Sequence, residues 1–396
     1  MNIALIPGAP VMSVIVPVFN VADYVIECLD SIVAQPFEGV HVILVDDGSV
    51  DGSAELARSY AEQHENFEFF EQSNSGVSIA RNNALERVRT PYLTFVDPDD
   101  VLPPDAWSSM FATLRETGSD FVVGAVERLE GDRRYQTPSM IRTQKLAGRR
   151  QTIDAVPLML ADVFVWNKIF VTDFWRDAGI TFPPRTRYQD QVALTDAYLK
   201  AESFDVIDEI VYEWRHRPAL NSATQMRKQV TNLQERINTK RMTLELVEKY
   251  GDPQVTWVLE TEILPVDMWE YCEAVPGCTD EFWELLVSAF REFWGCPSNG
   301  FGRMAFTEAM IPPHERLMGW LVTQGRRDDL ISLFEWFPTL TEPPIRDGVL
   351  IHPWFDEPGM PLFHEVSYPD LAEPEPEPQP SLVDRVRGRL RRSLSR

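Results

Sequence analysis

The N-terminal half of the chain alternates short apolar runs with amphipathic stretches. Residues 13–18 form a β-branched run that predicts a buried strand. Residues 22–33 then carry Tyr24, Cys28, Leu29 and Ile32 at helical spacing. A second apolar run, 40–45, predicts a strand that ends in Asp46, Asp47, Gly48 and Ser49. Residues 53–63 read as a helix with Ser53 as its N-cap, and 67–71 as a third, shorter strand. Residues 78–87 predict a helix and 92–96 a fourth strand, which ends in Asp97, Pro98, Asp99 and Asp100. Strands alternating with helices predict a mainly parallel sheet covered on both faces. In such a sheet, ligands bind beyond the carboxyl ends of the strands, where both acidic clusters fall.

Beyond residue 120 the pattern changes. Residues 121–126 predict a strand, 131–150 a polar excursion and 191–200 a helix. After Asn221, Leu233, Ile237, Leu244 and Val247 recur at near-helical spacing, and the chain stays helical to about Phe363. Trp257, Trp269, Trp283, Trp294, Trp320, Trp336 and Trp354 lie in this part and read as packing residues. Residues 372–380 alternate Glu and Pro, an acidic, semi-rigid linker. The organisation expected is a catalytic domain over 1–222, a helical domain over 223–371, the linker, and a basic tail over 381–396.

Composition narrows the function. The 396 residues carry a net charge of −24, which argues against nucleic-acid binding by the body of the protein. Cys28, Cys272, Cys278 and Cys296 form no CxxC pair and read as free thiols of a reducing compartment, although Cys272 and Cys278 are close enough in sequence to bridge. No signal peptide is expected in residues 1–10, and no run approaches the length of a membrane span. A cytoplasmic location follows as an expectation. The tail is the exception to the acidity: Arg385, Arg387, Arg389, Arg391, Arg392 and Arg396 face one acid, Asp384. Val383, Val386, Leu390 and Leu394 fall on one helical face, although Gly388 weakens the helix. Such an end suits an anionic membrane surface and a peripheral site on the inner face of the plasma membrane. The alternative is a basic tail folded back on the acidic body.

The acidic clusters carry the candidate chemistry. An aspartate at a strand end can accept hydrogen bonds from a base or ribose, and Gly48 lets the backbone turn sharply beside a ligand. Residues 97–100 offer oxygen ligands to a hard cation, Mn²⁺ or Mg²⁺, which would neutralise a departing diphosphate. The competing reading is an acidic turn that caps a helix opened by Pro103 or Pro104. No GxGxxG follows the first strand, so a dinucleotide enzyme is disfavoured.

Four motifs in order raise the specificity: SVIVPVFN at 13–20, VDDGS at 45–49, NSGVSIARN at 74–82 and FVDPDD at 95–100. Over residues 12–222 the chain resembles family 2 glycosyltransferases, which have the GT-A fold, a Rossmann-like α/β domain. The resemblance implies a nucleotide-sugar donor, usually UDP-linked, and inversion at the anomeric carbon. Carried over, Pro17 and Asp46 would frame the uracil pocket and Arg81 would lie near the base. Asp97 would contact the ribose side, and Asp99 would ligate the metal. VWNKIF at 165–170, Ile180 to Phe182, Gln189 with Asp190, and Trp214 to Pro218 are similar to the subgroup that builds bacterial cell-wall, capsular and teichoic-acid polymers. That subgroup reads Glu-Asp where this chain has Gln189 and Asp190, and its general base aligns with Asp190. An inverting reaction needs one base to deprotonate the acceptor hydroxyl, which is Asp190's implied role; a helix N-cap is the alternative. Arg215, His216 and Arg217 read as a donor cluster for a diphosphate or metal shell, with His216 a candidate metal ligand. Partners implied are a UDP-sugar, a polymer or lipid-linked saccharide acceptor, and a second copy of the chain. The rival reading is an inactive scaffold that keeps the fold.

Overall fold

The computed structural model describes residues 9–217, 227–294, 304–342 and 344–366. The expected linker and basic tail, and Cys296, lie outside the described residues. The chain divides into two compact units. One takes the described residues up to 217 together with 238–256; the other takes 227–237 and the described residues from 257 onward. Boundaries fall inside two helices, between Ile237 and Asn238 and between Thr256 and Trp257.

The first unit is built on a nine-stranded sheet. Strands β1 (Met12–Val18), β2 (Val40–Asp46), β3 (Phe67–Glu71) and β4 (Tyr92–Phe95) pair in the order 3-2-1-4, all parallel. Helices α1 (Val25–Val33), α2 (Ser53–Glu62) and α3 (Val77–Leu85) make the crossovers. In α1 the buried residues Val25, Cys28, Leu29 and Ile32 form one stripe, which is why this sequence packs as a helix on the sheet. Every residue of β1 and β4 is buried, as a central parallel strand requires. Pro17 is tolerated in β1 because β4 stops pairing at Ile15, so no ladder bond to β4 is lost.

The sheet then turns mixed. Helix α4 (Ala106–Thr117) leads into β5 (Phe121–Glu130). The stretch expected to be a polar excursion contains β6 (Arg133–Tyr135), α5 (Pro138–Gln144) and β7 (Gly148–Gln151). Strand β8 (Lys168–Val171) runs antiparallel between β4 and β5. Helices α6 (Thr172–Asp177) and α7 (Gln189–Lys200) precede β9 (Phe204–Arg215), which lies parallel to β5 and antiparallel to β7. The expected parallel character holds across 3-2-1-4, and the antiparallel β8 makes the whole a mostly parallel mixed sheet.

The second unit is mostly helical. Part of α8 (Val230–Tyr250) and of α9 (Pro253–Val258) belongs to it, followed by α10 (Leu264–Trp269), α11 (Asp280–Trp294), α12 (Pro313–Thr323) and α13 (Arg327–Trp336). Asp280 and Glu281 open α11 and Arg291 sits in its last turn, matching the helix dipole. Phe290, Trp294 and Phe306 form an aromatic cluster in its core. Trp269 and Trp294 are buried, as packing residues should be, but Trp257 is 42% exposed. Cys28, Cys272 and Cys278 are free thiols; Cys278 receives a hydrogen bond from Arg327 rather than a bridge to Cys272.

Candidate active site

The 3-2-1-4 order reverses between β1 and β4, which opens a crevice beyond the carboxyl ends of the parallel strands. Three loops meet there. Asn20, after β1, exchanges hydrogen bonds with the loop after β2: its N–H donates to Ser49 Oγ (3.1 Å) and its Oδ1 accepts from Val50 N (3.0 Å). Ser53 holds the same junction by accepting from Val21 N (2.7 Å). It is the first residue of α2 rather than the N-cap, a place taken by Gly52 in a left-handed conformation.

The two adjacent aspartates at the end of β2, Asp46 and Asp47, divide their work. Asp47 braces the loop before α3, accepting from Gln72 Nε2, Ser75 N and Gly76 N, each at 2.8 Å. Asp46 is 2% exposed and accepts from Gly48 N (2.9 Å) and Ser49 N (3.0 Å) through Oδ2. Its Oδ1 is buried without a partner. Gly48 has φ +77°, and a Cβ there would meet Asn74 N at 3.0 Å, so this tight turn requires glycine. A buried carboxylate oxygen with no donor is costly unless a ligand supplies one.

Helix α3 brings Arg81 to the same edge. Its Nη2 donates to Asp97 Oδ1 (2.6 Å), and the side chain lies over the Phe182 ring. Arg81 Nε and Nη1 are buried without partners. Asn82 fixes the Phe182 loop, donating to Phe182 O (2.8 Å) and accepting from Phe182 N (3.1 Å). The third motif and the Ile180–Phe182 segment of the second block are therefore one contact.

The acidic turn after β4 does not cap a helix: α4 begins at Ala106, and its N-cap residue Asp105 makes no side-chain cap bond. The turn is instead tied to β9. Val101 and Glu213 exchange two backbone hydrogen bonds. The buried Tyr212 hydroxyl accepts from Asp97 N (3.0 Å) and donates to Asp100 Oδ2 (2.9 Å). Asp100 Oδ1 accepts from Arg215 N (2.8 Å), and Arg215 Nε donates to the Asp99 carbonyl (2.8 Å). Arg217 Nε donates to Asp99 Oδ2. Trp166, from the VWNKIF motif, stacks on Tyr212 with ring centres 4.0 Å apart. Burial raises the Asp99 carboxyl above its usual range; Arg217 opposes the shift and Asp97 adds to it. Burial, then Asp99 and Asp97, push Asp100 up further.

These residues suit a divalent cation. Asp97 and Asp99 offer oxygen donors, and positive charge would relieve their mutual repulsion. Among the described residues no group of three or more His, Cys, Asp or Glu is assembled for a metal. An ion here would draw its remaining ligands from phosphate and water. The expected Arg215, His216 and Arg217 cluster is split: both arginines reach Asp99, whereas His216 Nδ1 lies 4.0 Å from Glu130.

Asp190 lies in the first turn of α7, where the helix dipole favours its negative charge. The N-cap position belongs to Tyr188, and the Asp190 carboxylate accepts from Gln191 N (3.0 Å). Buried Gln189, in place of the subgroup's glutamate, leaves its Oε1 without a partner. Lys168 is fully buried nearby. Its ammonium donates to Asp162, to the Phe164 carbonyl (2.6 Å) and to Asn167 Oδ1 (2.9 Å), and it feels the charge of Asp190. Burial lowers its pKa against the pull of Asp162. Trp166, Lys168 and Tyr212 were not foreseen as site residues, and Asp47 and Asp100, read within the acidic clusters, act here as braces. Tyr212 is the middle of three consecutive buried positions of β9, so no alternation along the strand singles it out.

Comparison with known proteins agrees with this geometry. Residues 13–167 match the model of Glycosyl transferase family 2. The chain is 29% identical over 225 residues to the uncharacterized glycosyltransferase EpsJ of Bacillus subtilis, covering 55% of this chain and 64% of EpsJ. It is 30% identical over 200 residues to the poly(ribitol-phosphate) beta-glucosyltransferase of Bacillus spizizenii, covering 49% of this chain and 30% of that enzyme. It thus spans less than two thirds of either relative. Residues 1–349 of S. aureus TarS, solved in complex with UDP-GlcNAc, share the fold at a TM-score of 0.54 and 20% identity, covering 90% of this chain and 100% of that one. Residues 13–167 of this chain thus match the family 2 glycosyl transferase model, on a sheet that shares the fold of that neighbour.

Proposed function

We propose that the chain is an inverting glycosyltransferase that moves a sugar from a UDP-sugar to a hydroxyl of a cell-wall, teichoic-acid or capsular polysaccharide. The observation that carries the donor half is the set of unmet buried atoms at the switch point, Asp46 Oδ1 and the Nε and Nη1 of Arg81, whose Nη2 is held by Asp97. An imide N–H of uracil would supply the donor that Asp46 lacks, and base carbonyls the acceptors that Arg81 lacks. Asp97 and the arginines at 215 and 217 would hold the ribose and diphosphate. Bound at Asp99, a Mn²⁺ or Mg²⁺ ion would supply positive charge to the departing diphosphate. Asp190 would take the acceptor proton as the hydroxyl attacks from the face opposite the diphosphate.

The polymer acceptor is supported by the relative named for poly(ribitol-phosphate) glucosylation and by the second motif block. The basic tail would hold the protein at an anionic inner leaflet, beside lipid-linked acceptors. Among the described residues no helix is long and apolar enough to cross a membrane. Calorimetric titration of UDP into wild type and Asp46→Ala tests the donor site. Binding in wild type that weakens at least tenfold in the variant supports the reading, and equal binding by both refutes it.

A further inference from the structure

Two arginines from one strand end reach Asp99 in different ways. Arg215 grips backbone: its Nε donates to the Asp99 carbonyl and its N–H to the Asp100 carboxylate, while its Nη2 lies 2.7 Å from Glu27. Arg217 instead covers the carboxylate itself, with Nε 2.5 Å from Oδ2. Asp99 is only 15% exposed, so this oxygen has little other access to solvent. A guanidinium and a divalent cation cannot share that oxygen, because their charges repel and they seek the same lone pairs.

We propose that Arg217 is an internal stand-in cation that guards Asp99, so that metal enters only as the donor's diphosphate draws the guanidinium away. The inference rests on the reading of Asp99 as the metal ligand. A diphosphate offers Arg217 a better partner than one carboxylate oxygen, since guanidinium pairs with phosphate in bidentate fashion. The Tyr24 ring, 5.7 Å from the Arg217 guanidinium and 5.5 Å from that of Arg215, gives the cation an aromatic face beside which to move. Metal and nucleotide then bind as a unit, and Asp99 keeps a positive partner when neither is present.

The consequence runs against simple loss of function. Removing Arg217 weakens diphosphate binding but opens Asp99 to metal. Mn²⁺ binding to the full chain, read by electron paramagnetic resonance of the free ion, tests this in wild type, Arg217→Met and Arg217→Ala, with and without UDP. Methionine keeps much of the stem beside Tyr24, and thermal unfolding confirms that each variant folds. Without UDP, both variants are expected to bind Mn²⁺ about tenfold more tightly than wild type, the worth of one charge-assisted hydrogen bond. UDP should tighten Mn²⁺ binding strongly in wild type and little in either variant. Unchanged or weaker Mn²⁺ binding by folded variants, with UDP-dependent binding intact in wild type, overturns the guard and leaves the metal reading standing. Failure of wild type to bind Mn²⁺ even with UDP removes the metal reading, and the guard with it.

Discussion

Replacing Tyr212 by Phe should cost more than its single lost oxygen suggests. The hydroxyl is buried and joins two groups of the acidic turn, the Asp97 N–H at 3.0 Å and Asp100 Oδ2 at 2.9 Å. Phe keeps the stack on Trp166 but leaves both groups without this partner. An unmet buried donor or acceptor costs roughly 1–3 kcal/mol, and Asp100 retains Arg215 N, so a loss of about 3 kcal/mol is expected. Asp100→Asn should behave differently. Burial and two neighbouring aspartates disfavour its ionised form, a cost an amide avoids, but Asn has one acceptor where the carboxyl takes both Arg215 N and the Tyr212 hydroxyl, so a loss smaller than that of Tyr212→Phe is expected. Urea unfolding of the full chain, followed by tryptophan fluorescence, measures both. A Tyr212→Phe loss below about 1 kcal/mol, or an Asp100→Asn loss as large as that of Tyr212→Phe, would refute the bracing role.

Asp190→Asn should lower turnover by roughly 10²- to 10⁴-fold while UDP affinity stays within a factor of about two; steady-state kinetics beside calorimetry separates this from a structural effect. His352 is 4% exposed, both ring nitrogens lack partners, and burial lowers its pKa to about 4, with Arg326 adding to the shift and Glu357 opposing it. Its unfolded pKa is about 6.5, so its contribution is present above that value and is lost as pH falls through about 4, a change of about 3 kcal/mol in the second unit. His352→Gln should flatten that acid limb in urea titrations, and an unchanged limb would exclude His352 as its source. Deleting residues 381–396 should abolish sedimentation with anionic liposomes at physiological salt; equal pelleting of both forms would end the membrane assignment.

The parallel half of the fold was legible because β1, β2 and β4 are largely apolar, mostly buried runs, whereas β3 is a half-exposed edge strand. Each ends in a polar cluster that the carboxyl edge explains. Residues 131–150 were opaque because β6 and β7 are short, exposed edge pieces, whose pairing with β5 and β9 is set by the sheet and not by local pattern. The site divides along the same line. Asp46, Asp97 and Asp99 sit at or just after the ends of locally predictable strands, and Arg81 lies within the predictable α3. Tyr212, Asp100 and Trp166 act through contacts separated by tens of residues, and no local pattern announces such contacts. The arginine triplet divides in this geometry: both arginines reach Asp99, and His216 lies by Glu130.

The central claim is metal-assisted transfer from a UDP-sugar at the switch point. Its most direct test is UDP release from a panel of UDP-sugars by the purified full chain, with Mn²⁺ or with chelator, in wild type and Asp99→Ala. The account predicts UDP release from at least one sugar that requires Mn²⁺ and is absent from a variant that still unfolds cooperatively. Release that survives chelation, or full activity in Asp99→Ala, would contradict it.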